Sequence, residues 1–156
     1  MTSEARKISG YILLSVPTII YGGYFLLSVL SGQHEELALT DFQKSMFRAG
    51  HAHAGVLVIL ALLVQLFADH IALSNTWKWI ARLSFPISAI TISSGFFAAA
   101  IGRQITEPTG LIFILYVGIT ILTFGLLTLG IGLIRQKKGS PNIKPNIQKP
   151  TKNLPT

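Results

Sequence analysis

Two histidines, an arginine and several small residues stand together in Phe47-Arg48-Ala49-Gly50-His51-Ala52-His53-Ala54-Gly55, and the chain then runs straight into the apolar stretch from Val56 to Ala68. Ionisable groups where a hydrophobic helix enters a membrane are costly without partners, which makes them functional candidates. Neutral imidazole binds zinc, copper and iron, and a chain without cysteine offers no thiolate to compete. The candidate metal ligands are therefore His51 and His53, with His34 and Glu107. Met46, Glu35 and Glu36 are further donors on the same side of the predicted bundle. The candidate cofactor-binding residues are His51, His53 and Arg48, and the cofactors to test are haem, copper or zinc. Gly50, Ala52, Ala54 and Gly55 leave room for a planar ligand, and equally for a neighbouring helix.

Spacing constrains these readings. Histidines at i and i+2 diverge on a helix, so His51 and His53 point away from each other. With His51 at zero and about 100° per residue, Arg48 lies at about 60°, Gly55 at about 40°, Gln65 at about −40° and Asp69 near 0°. His53 lies at about 200°, beside Met46 and Val64. The spacing thus predicts an inward stripe of Arg48, His51, Gln65 and Asp69. His51 is the stronger candidate for a buried site, and His53 faces another helix, a second subunit or the headgroups. His70 is about 28 Å along the helix from His51 and cannot share an ion with it. Haem held by two histidines then calls for a second chain, or for the His34 loop folding inward. The alternative is that His51 makes interhelical hydrogen bonds and has no ligand at all.

The elements that must carry these residues follow from hydropathy. Half of the 156 residues are hydrophobic and only 12% are charged, against roughly a quarter in a soluble domain. The sequence predicts an all-α, four-helix transmembrane bundle over residues 1–135, with helices at about 10–30, 41–69, 80–102 and 111–134. Each approaches the ~20 apolar residues that a bilayer core demands. The first run is long for a signal peptide and lacks a clear cleavage pattern, so it is read as a retained helix, kinked at Pro17. Thr40 and Gln43 have capping-box spacing and start the second helix at Asp41. Trp77 and Trp79 suit a membrane–water interface. Ser84, Ser88, Thr91, Gly95, Ala98 and Gly102 on the third helix, and Gly118, Gly125, Thr128 and Gly132 on the fourth, recur at three-to-four spacing. Such stripes let backbones pack closely, or line a cavity with hydroxyls opposite His51. Residues 136–156 are basic, Pro-containing and poor in apolar side chains, which predicts a disordered tail.

Four spans put both termini on one side. That side carries ten of the thirteen Lys and Arg residues; Lys44, Arg48 and Arg103 lie on the other. The positive-inside rule therefore predicts cytoplasmic termini and a multi-pass protein of the cell's inner (plasma) membrane. The net charge of +7 is read as topology and attraction to anionic lipid, not as a nucleic-acid site. The expected partners are the lipid bilayer and either further copies of the chain or a larger membrane complex. No nucleophile–base pair or phosphate-binding glycine loop is visible, so no catalytic residue is named.

The run Met46 to Leu57, with Gly95-Phe96-Phe97-Ala98-Ala99-Ala100 further on, resembles small uncharacterised four-helix bacterial integral membrane proteins with a GHAHAG motif. That resemblance covers Ile8 to Arg135 and implies an integral membrane protein. Over about a dozen residues, the aromatic–Arg–x–x–His–x–His entry into a helix is similar to pieces of haem-copper-oxidase-like membrane proteins, where it implies histidines that bind haem or copper. The functional expectation is a histidine site on the outer side that binds haem or a transition metal, in an accessory or electron-transfer role. A small transporter or channel subunit, or a structural partner in a larger complex, is the alternative.

Overall fold

The structure, a computed structural model, describes residues 1–34 and 37–135. Glu35, Glu36 and the basic tail expected at 136–156 lie outside the described residues. Four long helices follow one another: α1 (Ser3–Leu30), α2 (Asp41–Phe67), α3 (Asn75–Ala99) and α4 (Phe113–Ile134), the last entered through a 3-10 turn at Gly110–Ile112. All four helical segments are long and apolar enough to cross a membrane.

The helix ends explain themselves locally. Thr2 caps α1, its hydroxyl accepting from the Ala5 amide, so the polar residues before Gly10 are helical too. Thr40 and Gln43 form the complete capping box at the start of α2. The Gln43 side chain goes further: buried, it donates to the carbonyls of Ala100 and Gly102 at 2.9 Å each. The Thr40 hydroxyl donates to the Ile105 carbonyl. The first turn of α2 is thereby stapled to the α3–α4 turn. α3 begins at Asn75, behind Ser74, and stops at Ala99 because Gly102 and Gln104 take positive φ.

α3 is the central helix, packed against α2 on one side and α4 on the other, while α1 rests on α2. The small-residue stripes are the α3–α4 seam. A Cβ on Gly118 would come within 2.8 Å of the Ile92 amide nitrogen, and one on Gly95 within 2.7 Å of the Leu115 Cα. Only bare backbone allows this approach, and packing of this kind holds helices together where hydrocarbon on every side removes the hydrophobic drive. Three hydroxyls of α3 serve their own helix: Ser84 donates to the Ala81 carbonyl, Ser88 to Ser84 and Thr91 to Ile87, whereas the buried Ser93 hydroxyl has no partner among the described residues. Large apolar side chains face outward, among them Leu14, Ile90 and Leu127. Water would penalise that surface, whereas hydrocarbon does not.

Candidate functional site

The α2 residues in the α3-facing seam are Gly50, Leu57, Ala61, Val64 and Gln65, all buried. At about 100° per residue, this seam runs between the two histidines, roughly 90° from His51 and roughly 65° from His53. The inward stripe read from the sequence therefore divides. Gln65 is wholly buried, Asp69 is nearly so, His51 is half-buried, and Arg48 is exposed. Val64, assigned to the opposite side with His53, is 3% exposed. The polar stripe predicted too wide an interior because the helix buries glycine and aliphatic residues toward its main partner, α3.

His51 points at α1. A Cβ at Gly23 would sit 2.7 Å from its Nε2, so α1 passes over the imidazole only because residue 23 is glycine. His53 turns toward α3. Its ring lies against Phe96, with centroids 4.8 Å apart, and its Nδ1 is 2.8 Å from the Ala49 carbonyl oxygen. A carbonyl only accepts, so Nδ1 carries the proton, and in the neutral ring Nε2 carries the lone pair. His53 is exposed. The Nδ1–H bond to the carbonyl fixes the tautomer and ring orientation and leaves the Nε2 lone pair uncommitted.

The other predicted donors are separate in kind. His34 stacks on Phe25 at the end of α1, with centroids 5.6 Å apart. Arg48, Arg103 and Glu107 are exposed, and none of them makes an ion pair among the described residues. No group of three or more His, Asp or Glu side chains able to hold a metal comes together among the described residues. His51 and His53 thus offer two faces of one helix, not one chelate.

The opposite end of the bundle holds a second polar cluster. Asp69, in the α2–α3 connector, pairs with Arg82 of α3, whose side chain is only 4% exposed. The Thr2 amide and hydroxyl donate to the two Asp69 carboxylate oxygens at 2.8 Å each, and Arg82 Nη2 donates to the Thr2 hydroxyl at 3.2 Å. Gln65 donates to the Arg82 carbonyl at 3.1 Å. Burial works against the Asp69 charge, but the Thr2 hydrogen bonds and the Arg82 guanidinium outweigh it and hold the carboxyl below its ordinary value. The cluster ties α1, the connector and α3 together. Within it the buried Gln65 Oε1 and Arg82 Nε have no hydrogen-bond partner among the described residues.

No known protein family, curated protein or solved structure matches the chain.

Proposed function

We propose that this chain is a multi-pass membrane subunit whose histidines hold haem or a transition metal at one end of the bundle, in an accessory or electron-transfer role. The observation that carries this reading is the set of His53: an exposed residue whose imidazole donates Nδ1–H to the Ala49 carbonyl, which leaves the Nε2 lone pair for a ligand bond. One histidine does not make a stable site, and His51 opens on a different face. The remaining ligands therefore come from a second copy of the chain or from a partner subunit, consistent with a component of a larger membrane complex. Phe96 supports the ring from behind, as a fixed outer shell supports a ligand.

The ten-to-three distribution of Lys and Arg supports cytoplasmic termini, with the histidine end on the outer face of the inner membrane as part of the proposal. The test is to purify the full chain in mild detergent from native-like membranes, then record its visible spectrum and metal content. A Soret band, or stoichiometric copper, zinc or iron, is expected. Neither signal in a folded preparation would sink the proposal.

A further inference from the structure

A groove with a charged mouth lies between the start of α3 and the end of α4. Its volume is about 390 Å³, and its walls are Leu73, Trp77, Phe124, Leu127 and Ile131, with Arg135 at one end. The groove is built rather than incidental. The Ala72 amide donates to the Gly132 carbonyl at 3.2 Å, and a Cβ on Gly132 would press Leu73 at 2.9 Å, so the connector is seated on the last turns of α4. Trp77 and Phe124 pack with ring centroids 6.0 Å apart and close the far wall.

The chemistry is graded along the groove. From Arg135 to Phe124 is about 16 Å of helix. Arg135 is exposed and has neither an ion pair nor a side-chain hydrogen bond among the described residues. Away from Arg135 the walls are aliphatic and aromatic apart from Thr128. Phe124, Leu127 and Ile131 stand about half exposed. An exposed cation at the mouth of a mostly apolar trough is complementary to an amphiphile with an anionic head and a hydrocarbon tail. We infer that this groove binds one anionic phospholipid, its phosphate on Arg135 and an acyl chain along Leu127 and Ile131 toward Phe124. This inference needs only that the bundle spans a membrane and is independent of the histidine proposal.

The experiment is native mass spectrometry of the full chain, delipidated and then exposed to equal amounts of phosphatidylglycerol and phosphatidylcholine with identical acyl chains. A Lys or Arg at the membrane surface contributes about 1 kcal/mol toward anionic lipid, or about fivefold in binding. We expect one phosphatidylglycerol per chain, preferred about fivefold over phosphatidylcholine. Arg135→Gln should remove the preference while leaving some lipid of both kinds bound. Leu127→Trp, which fills the trough, should reduce both. Replacing Lys137 and Lys138 together by Gln should leave the preference in place. Equal retention of the two lipids by the unaltered chain would overturn the inference. So would a preference that survives Arg135→Gln or that follows the two lysines.

Discussion

At the scale of single residues, the two histidines of one short motif do different work. The His51 ring lies under Gly23 of α1, and His53 lies against Phe96 with Nδ1 bonded to the Ala49 carbonyl. The Gly23 contact makes the first half of this testable. Gly23→Ala puts a methyl group 2.7 Å from His51 Nε2, so the ring turns or α1 retreats, whereas Gly22→Ala meets nothing within 4 Å. The His51 imidazole resonances in a nitrogen-15 spectrum should therefore move in the first variant and stay in the second. The sequence showed that an i, i+2 pair must diverge, and the structure keeps that divergence. Which of the two would face α3 was not legible, because the seam is set by glycine and aliphatic residues and not by the polar stripe. The Nδ1 bond of His53 is equally invisible to spacing: most helical residues have a carbonyl four positions back, and only rotamer and neighbours decide its use.

At the scale of elements, hydropathy and caps carried most of the fold. The Thr40–Gln43 box starts α2 where its spacing said it would. The four apolar runs are four helices. The ends that moved did so for local reasons: Thr2 draws α1 back to Ser3, and the positive φ at Gly102 ends α3 early. The glycine stripes announced close packing without naming a partner, and the α3–α4 seam supplies it. Gly118→Val overpacks that seam against Thr91 and Ile92 and should cost about 1–3 kcal/mol. Gly130→Ala, on the same helix but facing open space, should be close to neutral. Thermal unfolding in one detergent compares the two. The staple from Gln43 to Ala100 and Gly102 has no sequence signature beyond the cap itself, since its acceptors lie 57 and 59 residues away.

At the scale of the whole molecule, a buried ion pair closes one end and a candidate ligand site marks the other. Breaking a fully buried pair costs about 3–5 kcal/mol; without Arg82, Asp69 keeps its two Thr2 hydrogen bonds, so the loss here falls at or below the low end of that range. Arg82→Met should accordingly lower the melting temperature by roughly 10 °C. The acid limb has a definite sign. A carboxyl held below its ordinary value stabilises the fold above that value, about 3.9, and loses its contribution as pH falls through the depressed one. Asp69 should thus leave stability flat from neutral pH down to about 5 and weaken it below about 4. Asp69→Asn should remove that dependence, as unfolding monitored against pH would reveal. Orientation is open to a clean test because the chain has no cysteine. Glu107→Cys should react with an impermeant thiol reagent from outside intact cells, and Thr76→Cys only after the membrane is opened.

The central claim is that His53 is a ligand. The most direct measurement is the haem and metal content per chain of the detergent-purified protein, with its visible spectrum, for the unaltered chain, His53→Ala and His51→Ala. A stoichiometric complement that His53→Ala loses is expected, with His51→Ala less affected. A full-length, folded chain carrying no haem and no stoichiometric copper, zinc or iron would contradict it, as would a complement unchanged by His53→Ala.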